Sequence, residues 1–576
     1  MAEAKPTTGQ TRRTQTGIKG AEIVVRCLEL HGVEVIFAYP GGASMEMHQA
    51  LRDSSLRVIL PRHEQGGAFA AAGYARATGR TGVCMATSGP GATNLVTAIA
   101  DAYMDSIPLV VITGQVSQRF IGKNAFQEID IIGMTRPIVK HSYLVLDPQE
   151  LPAVIAEAFY LAASGRPGPV VLDIPKDVQQ KLCVPTYPEE APSPRSYRVH
   201  CEAPDVDVER LRQAISAAER PCLYVGGGVI TAGAHQELLQ VAESYNLPVV
   251  TSLMGVGAFP ERHPLSLKWP GMHGTYYASY ALNECDLLIG IGVRYDDRVT
   301  GNVATFAQHA TIVHADIDPS EINKNKHADI GIVCDARSLL SKLIPNPIRK
   351  EYAAWHEQIR RWKSEHPLAY RASDKIQPQA VVEALCRLTD GKATIVTGVG
   401  QHQMWAAQFY TFERPRQLLT SGGLGTMGFG LPSAIGAKIA RPEDLVVLID
   451  GDGSFQMNIQ ELGTVHCEDV DVKMIILNNQ HLGMVAQWED RFYHSRRGNT
   501  VLSSDKTDRP YPNFPLIAEG YMIPGRDVWT LAELEPALRE MLASKEPFLL
   551  DVHVEYQEHV LPMIPAGGSH KDSMVE

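Results

Sequence analysis

Short apolar runs, each closed by glycine or a polar turn, recur along this chain. The clearest are residues 35–39 before Pro40-Gly41-Gly42, 83–87 before Ser88-Gly89-Pro90-Gly91, and 109–113 before Gly114. Later ones are 223–225 before Gly226-Gly227-Gly228, 286–289 before Gly290, 445–450 before Gly451-Asp452-Gly453, and 474–477 before Asn478-Asn479. A continuous apolar run is how a strand buried on both faces reads. Helix-length stretches such as 68–78 and 92–101 lie between the runs. Strand alternating with helix predicts an α/β fold whose parallel sheets carry helices on both faces. Two passages interrupt the pattern. Residues 185–204 hold Pro185, Pro188, Pro192 and Pro194 and read as a linker, and residues 345–378 are again proline-marked and strongly charged. The interruptions divide the chain into segments at 17–190, 205–345 and 375–555. A tail over residues 1–16 is expected to be disordered, and residues 556–576 read as an arm with little periodicity.

A length of 576 residues suits three such domains. The net charge of −12 leaves no basic footprint, so nucleic acid is not an expected partner. No apolar run approaches the roughly 18 residues that span a bilayer, so no membrane partner is expected either. The nine cysteines are scattered and form no CxxC pair, which fits reduced thiols. The first residues are polar, with Lys5, Arg12, Arg13 and Lys19 against Glu3, and lack the apolar core of a secretory signal. A plain tail is preferred over the remnant of an organelle transit peptide, so the expected location is cytoplasmic, in a bacterial-type setting.

The runs at 445–450 and 474–477 are separated by room for one helix. A right-handed crossover makes such strands parallel and brings their carboxyl ends to one edge, where α/β sheets bind ligands. Asp452 and Asn479 then emerge side by side and offer only oxygen donors, which suits magnesium with phosphate oxygens in its shell. Gly451 and Gly453 let a diphosphate approach the backbone, ahead of a helix amino end. Asp-Gly and Asn-Asn are also ordinary turn pairs; their occurrence together at one crossover's spacing favours the metal reading. The segment resembles the thiamin diphosphate motif. The resemblance implies that Asp452, Asn479 and the main-chain carbonyl of His481 hold magnesium.

In the first segment, Glu64 follows a strand and precedes the small residues Ala68, Ala70, Ala71, Ala72 and Gly73, so a flat ring can come close to it. By itself it reads more readily as an acid at a helix start. Beside the magnesium motif it matches the catalytic Glu of the pyrimidine-binding domain of this superfamily, which bonds a ring nitrogen of the aminopyrimidine. Glu64 and Asp452 lie on different segments, and in the superfamily the cofactor bridges two subunits, which implies a homodimer or homotetramer.

Three further stretches narrow the family. Ala38-Tyr39-Pro40-Gly41-Gly42-Ala43-Ser44, Gly122-Lys123-Asn124-Ala125-Phe126-Gln127-Glu128 and Gly425-Thr426-Met427-Gly428 resemble the acetohydroxyacid synthases, also called acetolactate synthases. The resemblance covers about residues 17–568. It implies pyrimidine-binding, FAD-binding and diphosphate-binding domains in that order. It places Gly41 and Gln127 near the reacting carbons and gives Met427 the task of wedging the cofactor into a bent shape. It implies cofactor contacts from Pro40, Pro90, Asn94, Gly400, Gln401, His402, Gly425, Gly451, Gly453, Ser454, Gly483 and Met484.

The middle segment carries Arg294-Tyr295-Asp296-Asp297-Arg298-Val299-Thr300-Gly301, which resembles a run of the biosynthetic, FAD-containing members, with Tyr295 for the usual Phe. The strict GxGxxG fingerprint is missing after the first strand, so pattern alone leaves an empty Rossmann-like domain open. The resemblance implies FAD contacts from Arg166, Gly226, Gly227, Gly228, Met272, His273, Gly292, Arg294, Asp296, Val299, Asp316, Ile317 and Asp335. Trp488 matches the residue that favours 2-oxobutyrate over pyruvate as acceptor. Arg294 matches the cation for the acceptor carboxylate, and Lys176 and Phe126 match residues of the substrate channel. The implied reaction joins pyruvate, after decarboxylation, to a second pyruvate or to 2-oxobutyrate, with room for a small regulatory subunit. A pyruvate-oxidase-like flavoenzyme is the alternative.

Overall fold

The computed structural model describes residues 17–190, 192–507 and 510–575. The expected tail over 1–16 lies outside the described residues. Three sheets, each wholly parallel, organise the chain. The first has the order Arg57–Ile59, Val35–Ala38, Gly82–Ala86, Leu109–Gln115, Pro169–Pro175, His141–Leu144. The central one runs Val249–Thr251, Pro221–Val225, Leu287–Ile291, Thr311–Asp316, Ile330–Val333. The third runs Leu418–Leu419, Thr394–Thr397, Val446–Gly451, Lys473–Asn478, Phe548–His553, Gly525–Val528. The α/β expectation is met.

In each sheet the chain order reverses beside an inner strand, Val35–Ala38, Pro221–Val225 or Thr394–Thr397, from which the following strands run to opposite sides. Ligands of open α/β sheets sit at such switch points, beyond the carboxyl ends of the strands. Pro40-Gly41, Gly226-Gly227-Gly228 and Gly400-Gln401-His402 begin within three residues of the ends of these strands.

The first and third sheets share one core, in which Phe37, Phe69 and Val111 join Phe429, Leu448 and Met474. At its centre the Glu64–Thr78 helix packs on the Gly430–Ala440 helix. The helices touch through glycine: a Cβ at Gly73 would run into the Ser433 carbonyl, and one at Gly436 into that of Ala70. The central sheet has a core of its own.

Four local expectations are corrected. The crossover between Gly451 and Lys473 is not one helix but the pieces Asp452–Gln456, Ile459–Glu461 and Leu462–Cys467. Asn458 breaks the ladder at φ −134° and donates to the Gly428 carbonyl at 2.7 Å. The stretch expected as one helix over 92–101 divides into Pro90–Thr93 and Val96–Met104 around Asn94 and Leu95. The charged passage 345–378 contains the helix Ala353–Glu365, whose Trp355 and Ile359 enter the central core. Trp355 Nε1 donates to the Pro221 carbonyl at 3.0 Å. The arm, whose lack of periodicity reads as a flexible arm or lid, is docked on the central domain: Ile564 N donates to Met272 O at 2.8 Å, and Asn302 N donates to Gly568 O at 3.0 Å.

Candidate active site

The first cluster forms at the carboxyl edge of the first sheet. His63 is extended and accepts from Gln65 N at 3.1 Å, which starts the helix at Glu64. Asn94 Nδ2 donates to Glu64 Oε2 at 2.9 Å. The other oxygen, Oε1, would lie 3.2 Å from a Cβ at Gly91, so only glycine leaves a free approach there. Pro90 opens the short helix that holds Asn94 near Glu64. Gly41 is pressed against Thr87, where a side chain would collide. Gly89 adopts φ +59° and would put a Cβ 2.8 Å from Gln127 Cα. Glu64, Gly41, Asn94 and Gln127 therefore lie together at this edge of the sheet. Pro40 is exposed at its rim and Phe126 is 88% exposed beside Gln127. Lys176 begins the short helix after Pro169–Pro175, half-buried, and is not in the central cavity described below.

The second cluster forms on the third sheet. The pairing of Gly451 with Leu477 brings Asp452 and Asn479 out on adjacent strands. Asp452 is 2% exposed, and its Oδ2 has no hydrogen-bond partner. Burial pushes its carboxyl up to about 7, against the pull of main-chain amides at Asp452, Gly453, Gln480 and Asn479. Asn479 Oδ1 accepts from His481 N at 3.0 Å, and its Nδ2 donates to Gln401 Oε1 at 3.2 Å. Gly483 leaves the space that Gln401 and Asn479 occupy. His402 Nε2 lies 3.3 Å from Asp450 Oδ1, and a Cβ at Gly451 would lie 2.7 Å from His402 Nδ1. Ser454 Oγ accepts from Gly428 N at 3.2 Å, while Met427 Cε would lie 3.6 Å from a Cβ at Gly453. Met427 thus overhangs the turn that bears Asp452. Gly400 leads into the helix that carries Gln401 and His402.

Between the three sheets lies a cavity of about 860 Å³. Gly227, Gly228, Gly292, Met272, His273, Val299, Ile317 and Asp316 line it from the central domain, as do Arg294, Asp296 and Asp335. Arg166 lines it from the first domain, and Gly425, Met484 and Trp488 from the third. Gly226 lies behind this lining, tight against the Gly292 carbonyl. Gly292, at φ +60°, would put a Cβ 2.7 Å from Gly228 Cα, so two backbones cross where a long ligand could press on them. Asp296 and Asp335 also cap helices, accepting from Arg298 N at 3.1 Å and Arg337 N at 2.8 Å. Arg166 is held by acids: its Nη1 lies 2.5 Å from Glu321 and 3.3 Å from Asp318. Burial pushes Asp316 up to about 6 and His273 down to about 4.

Some contacts had no sequence forecast. Buried Arg76 reaches Asp101 at 2.7 Å and Asp105 at 2.9 Å. Asp101 accepts from Ser421 Oγ, while Asp105 accepts from Gly422 N and Gly423 N at 3.1 and 2.6 Å. Ser421 in turn accepts from Thr426 N at 2.9 Å. First-domain acids therefore hold the loop that presents Met427. No hydrogen bond or ion pair joins Glu64 to Asp452 among the described residues.

Comparison with known proteins matches the same three regions. Residues 18–134 match the N-terminal TPP binding domain of thiamine pyrophosphate enzymes, 208–343 the central domain, and 398–552 the C-terminal TPP binding domain. Acetolactate synthase 1, chloroplastic, of Oryza sativa subsp. japonica is 52% identical, with 97% of this chain and 88% of the relative covered. Acetolactate synthase, chloroplastic, of Arabidopsis thaliana is also 52% identical over 97% of this chain and 84% of its own length. This chain belongs to the acetolactate synthase family. Acetolactate synthase 1, chloroplastic, of Zea mays matches equally, at 52% over 97% of this chain and 89% of the relative.

Within the family, the location expected from sequence is corrected. These relatives are named chloroplastic, which overturns the reading of a bacterial-type cytoplasmic protein without organelle targeting. A basic, acid-poor start is common to plain tails and transit segments, and composition does not separate them.

Proposed function

We propose that this chain is an acetolactate synthase catalytic subunit that decarboxylates pyruvate and joins the two-carbon unit to pyruvate or to 2-oxobutyrate. The products are 2-acetolactate and 2-aceto-2-hydroxybutyrate, precursors of the branched-chain amino acids. The observation that carries the reading is Asp452: a buried carboxylate with an orphaned oxygen, beside Asn479, at a glycine turn. A magnesium ion held by Asp452, Asn479 and the His481 carbonyl would satisfy that oxygen, and such oxygen donors suit it. Gln401, His402, Gly453 and Ser454 would surround a diphosphate held at this turn. When bound, thiamin diphosphate supplies the nucleophilic carbon and the electron sink for loss of carbon dioxide.

Glu64 would bond a ring nitrogen of the aminopyrimidine. Asn94 occupies Oε2, and Gly91 leaves Oε1 open. Met427, above Gly453, shapes the floor on which the cofactor's rings would bend. Arg294 offers a charge-assisted hydrogen bond to an acceptor carboxylate. Trp488, one helical turn after Met484, offers a flat wall beside it. The central cavity fits FAD: its glycine crossing gives a dinucleotide close access to backbone, and its volume suits a ligand of that size. The exposure of Phe126 and Pro40 at the Glu64 edge supports a second copy of the chain completing the site.

The test is acetoin colour after acid treatment of a pyruvate reaction, run with and without thiamin diphosphate, magnesium and FAD. Acetolactate formation that depends on the first two supports the proposal. Flavin reduction by pyruvate at the full turnover rate would favour the oxidase-like alternative. A redox-inactive flavin analogue that preserves carboligation would exclude it.

A further inference from the structure

A second cluster of ligand-type side chains lies on the third sheet, two strands away from Asp452. Asp527 and Asp551 are direct partners on the parallel strands Gly525–Val528 and Phe548–His553. Partners in register share a face, and His553, two residues after Asp551, returns to that face. The pairing of Asn478 with His553 adds an amide to the same patch. His553 Nε2 lies 2.9 Å from Asp527 Oδ1 and 3.7 Å from Asp551 Oδ2, and one ligand atom from each of the three falls within 4.8 Å of the others. Donors bound at 2.0–2.2 Å in a tetrahedral zinc shell stand about 3.3–3.6 Å apart, so little movement is needed.

Two observations point to a ligand rather than to an ion pair alone. Asp551 is 1% exposed, and only its Oδ2 is satisfied, by Asn478 Nδ2 at 3.2 Å; its Oδ1 has no partner. A buried carboxylate oxygen left bare is costly unless a cation or proton meets it. Trp529 stacks on the His553 ring at 3.6 Å and 10°, which fixes the imidazole plane with Nε2 toward the acids. Asp527 and His553 are half-buried, so an ion can enter from solvent.

We propose that Asp527, Asp551 and His553 bind a divalent cation of the zinc type, with a solvent molecule completing the shell. Carboxylate oxygen and imidazole nitrogen are both zinc donors, and three protein ligands leave a fourth position open. The site is separate from the diphosphate metal and ties the edge strand Gly525–Val528 to the strand beside it.

The experiment uses the full-length protein saturated with thiamin diphosphate and magnesium, titrated with Zn²⁺ by calorimetry and with Co²⁺ by visible absorption. The expected result is one further equivalent per chain, with the intense bands of four-coordinate Co²⁺. His553→Leu and Asp527→Asn should each weaken this binding by at least about tenfold, the lower range commanded even by outer-shell partners. Zn²⁺ should raise the melting temperature of the parent and not of His553→Leu. Because both variants keep the diphosphate site, acetolactate formation reports that they are folded. Equal Zn²⁺ binding in the parent and His553→Leu would overturn the proposal, as would a Co²⁺ spectrum of six-coordinate ion only.

Discussion

Asn94 donates its side-chain amide to Glu64 Oε2 at 2.9 Å, across the carboxyl edge of the first sheet. This bond orients the carboxyl and leaves one oxygen for chemistry. Glu64→Gln can keep the Asn94 contact through its amide oxygen but cannot act as an acid or base toward a ring nitrogen. The expected outcome is a loss of roughly 10²–10⁴-fold in the rate of acetolactate formation, the usual share of a general acid–base group. Initial rates at saturating thiamin diphosphate check it; a rate near the parent's would remove Glu64 from the chemistry.

Glu461 of the third sheet's crossover meets the start of the same helix. It accepts from Arg62 N at 3.0 Å and from Thr464 Oγ1 at 2.6 Å, and a Cβ at Gly66 would strike its carboxyl. Gly66→Ala should therefore push the helix start away from Glu461. A destabilisation of about 1–3 kcal/mol is expected, the range of overpacked cores, together with reduced turnover. Denaturant unfolding and initial rates measure the two effects separately.

Trp488 lines the same cavity as Arg294. Trp488→Leu should lower the preference for 2-oxobutyrate over pyruvate by about tenfold, within the range that one methylene contact confers. The decarboxylation of the first pyruvate should change less. A competition assay that resolves the two acetohydroxy acids decides this, and an unchanged ratio in a folded variant would make Trp488 a packing residue.

Asp173 is buried among first-sheet strands and accepts from Thr113 Oγ1 at 2.6 Å and Gln115 Nε2 at 2.9 Å. Burial pushes its carboxyl from 3.8 up to about 7. The folded protein therefore holds this proton where the unfolded chain has lost it. The stability this gives is complete below the unfolded value and is lost as pH rises through the folded one. Over that window the parent should lose about 2–4 kcal/mol from this group. Asp173→Asn should show a flatter dependence of unfolding free energy on pH; identical slopes would contradict the assignment.

The strand ends were legible because parallel strands buried on both faces read as unbroken apolar runs. That Asp452 and Asn479 emerge on adjacent strands was legible because one crossover contains them both. The grip of Asp101 and Asp105 on the Ser421–Gly423 loop was not, since the partners lie more than 300 positions apart and no local pattern links them. The helix Ala353–Glu365 was hidden by its charged composition, although Trp355, Ile359 and Trp362 already stood at helical spacing. Arg166 fell among the cofactor contacts by resemblance. Its ion pairs with Glu321 and Asp318 depend on a neighbouring domain and are invisible in its own segment.

The glycine contact between the Glu64–Thr78 and Gly430–Ala440 helices has a mechanical consequence. Gly73 and Gly436 each seat against the backbone of the opposite helix, so neither helix can slide without striking a carbonyl. Helices meshed this closely behave as a locked gear, and the first and third sheets should move as one block. Any breathing that admits a substrate must then fall to the parts outside that gear: the separately cored central domain and the docked arm.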